Sequence, residues 1–539
     1  MRTFHQGWLT YLGLLSFFST APITTDCIAE TDSPTFNQNV AAIVHSKCSS
    51  CHRPGQAGPF SLLSYKDVAR RAQTIEAVID SGYMPPWKPV NHAIAFSNDR
   101  RLTIEQKELL RLWIANGLPR GSGQPPLPPK FSDGWQLGPP DKVVQMQGTF
   151  EVPASGPDIY RSFVFPLQLP EDKWVKAIEY RPTATSAVHH AIFFLDQQGN
   201  ARRMDGSDGK AGIAGMSFLS GTSNLEDVPS VNAGGWLQGA SRLRSTSENE
   251  PFSRALNQGL GGYVPGSTPN RLPGDLAMHL PAGSDIVMQT HFHPSGKTEE
   301  EQGRIALYFA DKPPSRQLVP IQIPAMFGVG MGLKIPAGES AYLLEDSFVS
   351  PVDIELVSIG GHAHYICREA KMTAELPDGE ERILLDIDDW DLDWQDRYYF
   401  EKPLKLPAGT KLHTMLVYDN SSDNPENPNF PPKEIRWGRQ SGDEMGSITV
   451  QVVATSEEDR VTLQAGLAKY FMQSLTRGDT VDLLMQLDTN GDGGLDKDEA
   501  PARLGKSLPL LDRDRNGKLE PSELKVLRLF MPSAQSKEE

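Results

Sequence analysis

The sequence predicts a multidomain, mainly β chain with a small α-helical unit near its N-terminus and a helical pair of acidic loops at its C-terminus. Three observations carry this reading. A length of 539 residues is too great for one domain. Gly 47 and Pro 43 punctuate a middle region of short apolar runs, the mark of turn-rich antiparallel sheets paired in sandwiches. Helical spacing of apolar residues is strongest near the two ends.

Composition narrows the function classes. With 38% apolar and 22% charged residues the chain can bury a core. A net charge of -16 argues against a nucleic-acid partner, because a phosphate backbone needs a basic surface. Only 4 cysteines stand against 12 histidines, which excludes a disulfide scaffold and directs attention to the histidines.

Residues 1–29 read as a signal peptide: Arg2 and His5, an apolar run from Trp8 to Ala21, and the small-x-small site Cys27-Ile28-Ala29. The run is shorter than the roughly 20 residues a spanning helix needs, and no later segment is apolar enough to cross a membrane. The mature chain is therefore expected in the periplasm, at the cell surface or outside the cell.

Near the N-terminus stands Cys48-Ser49-Ser50-Cys51-His52. This spacing lets two thiols form thioethers to haem vinyl groups while the next histidine faces the iron. A redox dithiol or half a zinc site are the alternatives, although a zinc site lacks a second ligand pair nearby. Residues 33–123 resemble a class I c-type cytochrome, with helices over Phe36 to Lys47 and Thr103 to Asn116. The resemblance implies an α-helical haem domain, covalent haem c, His52 as proximal iron ligand and Met84 as distal one; His45 and His92 stay open as replacements. Such a pair fills both axial positions and suits electron transfer.

A Pro/Gly-rich linker, 124–140, leads into the β region. Three histidine pairs recur there: His189-His190, His291-x-His293 and His362-x-His364. Residues two apart on a strand share a face, so His362 and His364 can bind one ion. Adjacent residues face opposite ways, so His189 and His190 can share a metal only at a strand end or a bulge. Together with Asp443-Glu444-Met445, these motifs resemble the copper type II, ascorbate-dependent monooxygenases in identity and order.

That resemblance implies two jelly-roll-like antiparallel β-sandwich subdomains, 141–300 and 301–455, each holding copper. His189, His190 and His291 would hold the electron-storing ion; His362, His364 and Met445 would hold the ion that takes up O2. The role of His293 stays open, while His279 and His413 read as structural. The chain departs from the family in carrying one core cysteine, Cys367, and in having Gly360, Ser447 and Thr449 where the peptide enzyme has Arg, Asn and Tyr.

The C-terminal segment, 456–530, contains two twelve-residue loops. Asp488, Asn490, Asp492, Gly494, Asp496 and Glu499 occupy the ligand positions of the first; Asp512, Asp514, Asn516, Lys518, Glu520 and Glu523 occupy those of the second. Each has glycine at position 6 and offers a backbone carbonyl at position 7. The pattern resembles an EF-hand pair and implies Ca2+.

The combined expectation is an exported dicopper monooxygenase that hydroxylates a small organic substrate with O2. Electrons would come through the fused haem, with ascorbate or another external donor behind it. A non-catalytic copper-, haem- and calcium-binding electron-transfer or surface-binding protein is the rival reading, and a zinc hydrolase core is a second.

Overall fold

The computed structural model describes residues 33–525 except 57, 91–93, 98, 131–133, 198, 215–258, 266–268, 439–441, 475–479, 486–487, 489–491, 498 and 501. The expected signal peptide, His92 and Asn490 therefore lie outside the described residues.

Near the N-terminus, local sequence signals set the helices. Ser64 caps Tyr65–Arg70 by accepting from the Asp67 amide, and Thr103 with Gln106 forms a capping box at the head of Ile104–Ala115. Ala41–Lys47 and Ala72–Asp80 complete the group. Phe36, Val40, Val44, Leu110 and Trp113 form its buried centre. Between Ala72–Asp80 and Ile104–Ala115 the chain reaches out of this group to the β region. Val90 donates its amide to Asp386 O (2.8 Å), Ser97 to Tyr399 O (2.7 Å), and Phe96 enters the core of the second half beside Phe400.

Four antiparallel sheets form the body. In spatial order the first comprises Lys142–Gln145, Arg304–Phe309, Lys173–Arg181 and Met278–Leu280. The second comprises Ile213–Ala214, Ile159–Pro166, Asp285–Phe292, Val188–Asp196 and Gly259–Tyr263. The third runs Leu318–Ile323, Gly446–Ala454, Ile354–Ala363, Tyr398–Leu406; the fourth runs Tyr342–Val349, Lys411–Tyr418, Cys367–Glu375, Glu381–Ile387. Alternating burial, as along Lys411–Tyr418, gives the sheets apolar faces that pool in two large cores, one around Phe163 and Ile286, the other around Leu356 and Leu416.

These observations correct the expected fold class. Among the described residues the structure is mostly β, 33% strand against 19% helix, with a four-bladed, propeller-like arrangement of sheets in place of two jelly-roll-like sandwiches. No N-terminal α-helical class I cytochrome c domain is evident among them. The physical reasons are visible. The N-terminal helices are at most twelve residues long, and the segment between Ala72–Asp80 and Ile104–Ala115 gives Trp87, Ile94 and Phe96 to the β core. Sheet membership rests on pairings distant in sequence, such as Lys142 with Leu307 and Leu318 with Val453, which short-range periodicity does not encode.

Two boundaries also shift. Arg304–Phe309 belongs to the first half, and the later part of the expected linker is docked there, with Trp135 and Leu137 packed on Ala177 and Tyr308. Beyond the sheets, helix Glu457–Ser474 sends Leu463, Tyr470 and Phe471 into the second core. Among the described residues no helix is long and apolar enough to cross a membrane.

Candidate metal centre

His189 and His190 open the strand Val188–Asp196. Its ladder with Asp285–Phe292 pairs Val188 with Phe292 and His190 with His291, so His189 is the extra residue of a bulge. The bulge lets two adjacent histidines turn toward one point. Ring centroids lie 5.1 Å apart for His189 and His291 and 4.9 Å for His190 and His291. One ligand atom from each of the three falls within 4.8 Å of the others. All three Nδ1 atoms are buried without a hydrogen-bond partner; Asp393 approaches His189 Nδ1 to 3.3 Å without hydrogen-bond geometry.

Burial, together with the neighbouring His291, pushes His189 down to about 4. The same causes hold His190 well below its ordinary value, with His189, His362 and His364 adding to the effect. Neutral imidazole is the form that ligates a metal. Because His190 feels His362 and His364, the first- and second-half groups lie within electrostatic reach of each other.

Beside this cluster, Asp158 accepts from His291 Nε2 (2.7 Å), His293 Nδ1 (2.8 Å) and the Tyr365 hydroxyl (2.9 Å). Burial opposes ionisation of Asp158, yet these bonds outweigh it and hold the carboxyl well below the usual range. Tyr160 stacks on the His291 ring at 4.4 Å.

The second group sits on the strand Ile354–Ala363 and its exit. Ala363 pairs with Gly446, so the next residues outward, His364 and Met445, leave the ladder side by side. His362 Nδ1 donates to Gln395 Oε1 (2.5 Å) and His364 Nδ1 to Asp443 O (3.1 Å), which assigns any ligation to Nε2. Burial lowers His362 to about 4. Met445 is buried, and beneath it Glu444 accepts from the amides of His364, Ile366 and Met445. Burial outweighs those bonds and raises Glu444 to about 8.

Phe327 lies edge-on to His362 at 5.0 Å. It and Met326 hold left-handed backbone (φ 55° and 50°), fixed by Gln322 accepting from the Met326 amide and by Trp437 donating to Phe327 O. Such conformations cost about 1–3 kcal/mol and persist where surroundings impose them. One loop, between Ile387 and Tyr398, serves both groups: Asp393 beside His189, Gln395 on His362.

At the N-terminal motif, the Cys51 and His52 amides both donate to Cys48 O, closing a tight turn. His52 Nδ1 donates to Phe60 O (3.3 Å), leaving Nε2 as its ligand nitrogen, and a Cβ on Gly58 would come within 2.8 Å of Cys51 O. Cys48 and Cys367 are free thiols, and burial with the nearby Cys51 raises Cys48 to about 12. Met84 is half-buried, its amide on Val78 O. His45 is buried, Nε2 on Leu63 O; His279 pairs with Asp172.

In the C-terminal loops, Gly493 and Gly517 take the left-handed position-6 turn (φ 86° and 89°), and Leu495 pairs with Leu519 to join the loops. Asp488 accepts from the Asp492 and Gly493 amides, and Asp512 from those of Asn516 and Gly517. Carboxylates of Asp512, Asp514 and Glu523 converge within 4.8 Å. Asp496 and Glu499 bond each other's amides, whereas the Lys518 side chain reaches across to Asp492.

Sequence reasoning missed Asp158, Tyr365, Asp393, Gln395, Phe327 and Glu444. None sits in a spacing pattern; each acts through a fold contact. Glu444 lies inside the quoted Asp443-Glu444-Met445 stretch and Tyr365 directly follows His364, but sequence reasoning gave neither a role.

The EF hand family matches residues 480–499, which supports calcium binding there. No curated protein matches the chain. Solved structures similar to it include PNGF-II (9% identity, 58% of this chain, TM-score 0.23), of whose length the match spans 65%. Others are recombinant peptide:N-glycanase F (11% identity, 59% of this chain, 96% of that one, TM-score 0.24) and the major capsid protein P2 of bacteriophage PM2 (8%, 58%, 97%, 0.21). Likeness this distant carries no argument about fold or function.

Proposed function

We propose that this chain is an exported copper-dependent monooxygenase that hydroxylates a C–H bond of a small organic substrate with O2. The observation that carries the reading is the set of three buried, unpartnered Nδ1 atoms on His189, His190 and His291, whose ligand atoms converge within 4.8 Å. Buried polar atoms without partners are costly, and three that converge suit a cation. His189, His190 and His291 would hold one copper; His362, His364 and Met445 would hold the other, the thioether favouring Cu(I). When bound, copper supplies one-electron redox chemistry and the capacity to activate O2.

The chain's own residues prepare the sites. Burial keeps the imidazoles of His189, His190 and His362 neutral, Asp158, Gln395 and Asp443 O fix ring orientation, and Phe327 shields one side of His362. Haem c would be held by thioethers from Cys48 and Cys51, with His52 and Met84 as the residues proposed to ligate its iron and the Phe60 carbonyl orienting the His52 ring; the chemistry such a group supplies when bound is one-electron transfer. Calcium at the EF-hand loops has a structural role in this reading.

Metal analysis of the purified protein should give about two copper and one iron per chain. O2 consumption is then measured across a panel of C–H substrates against Met445→Ala. No substrate exceeding that control would remove the enzyme reading and leave a non-catalytic copper- and haem-binding protein.

A further inference from the structure

We infer that Asp158 is a positioning residue that sets the ligand nitrogen of His291 and, through Tyr365, ties the three-histidine cluster to the segment bearing His364. The inference rests on the proposed copper-binding reading. His291 is fully buried, and its ring has two nitrogens that a metal can take. A carboxylate can only accept, so the 2.7 Å contact puts the proton on Nε2 and turns Nδ1, buried and unpartnered, toward His189 and His190. Tyr160, stacked nearly parallel to the ring at 3°, resists rotation out of that pose.

Both Asp158 oxygens are engaged, and the third partner comes from the other half of the molecule. Tyr365 follows His364 directly in sequence, and its hydroxyl meets the same oxygen that holds His291. One side chain, 17% exposed, thus joins a ligand of the first group to the backbone that carries a ligand of the second. His293, mostly exposed, takes the other oxygen, so its Nδ1 supports Asp158.

The test uses the full chain titrated with Cu(II) alone against a competing chelator, with electron paramagnetic resonance of each group. Asp158→Ala should weaken the three-histidine site about 10- to 100-fold and alter its resonance, while the His362/His364 site stays within about twofold. Tyr365→Phe should leave both affinities within about threefold but broaden the copper–copper distance distribution read from dipolar coupling. Asp158→Asn, which keeps the shape, should fall between wild type and Asp158→Ala, and replaces it if the alanine variant does not fold. A folded Asp158 variant with wild-type affinity and resonance at the three-histidine site would overturn the inference. Wild-type protein that binds no copper would instead sink the copper reading, and the inference with it.

Discussion

The two histidine groups are built from opposite materials. The first lies on a bulged strand and offers Nδ1 atoms, with a carboxylate, Asp158, behind His291. The second lies on the in-register end of its ladder, Ser358 to Ala363, and its exit, offers Nε2, and is backed by an amide and a carbonyl from Gln395 and Asp443. An anionic support stabilises added positive charge on its metal, whereas neutral supports and a thioether favour the lower charge. Similar histidine chemistry is thereby tuned two ways by what stands behind the rings.

The largest expected effect separates the groups outright. His291→Ala should lower copper by about one ion per chain while leaving the His362/His364 ion in place; metal analysis showing loss of both would mean the groups are not independent. Next, Met445→Leu keeps volume in the core and should cost under about 1.5 kcal/mol of stability. Substrate-driven O2 consumption should nevertheless fall to the level of Met445→Ala, and retention of activity would remove the thioether from the site.

Acid and alkali should then act on the groups with different signs in metal-free protein. His189 and His362 sit at about 4 against an ordinary 6.5. Below pH 6.5 the unfolded chain takes up protons the folded one refuses, so the stability they contribute is full above 6.5 and lost as pH falls through about 4. Glu444 is the reverse: raised from 4.5 to about 8, it contributes fully below 4.5 and loses that contribution as pH rises through about 8. Each amounts to roughly a few kcal/mol. Urea unfolding across pH should show both arms, and Glu444→Gln should flatten only the alkaline one; an unchanged alkaline arm would discount Glu444.

Calcium gives the smallest effect and a control. At about a hundredfold excess over its dissociation constant it should stabilise the C-terminal loops by roughly 3 kcal/mol. Calorimetry with and without chelator should shift that transition while copper affinity at both histidine groups holds.

What the sequence by itself determined was whatever depends on near neighbours. The twelve-residue loops, the Cys48–His52 spacing, the caps at Ser64 and Thr103, and the paired histidines are all short-range features, and the requirement of a strand end or a bulge for His189-His190 followed from strand geometry alone. Tertiary structure decided how many strands share each sheet and where Val90, Phe96 and Ser97 dock. It also decided that Asp158 of the first half meets Tyr365 of the second, and that one loop reaches both His189 and His362. The reason is physical: a repeat of two or 3.6 residues records which face is buried, whereas pairing between strands over a hundred residues apart is selected by packing the whole core. A lone aspartate among 68 acidic residues carries no mark of its partner until the chain is folded.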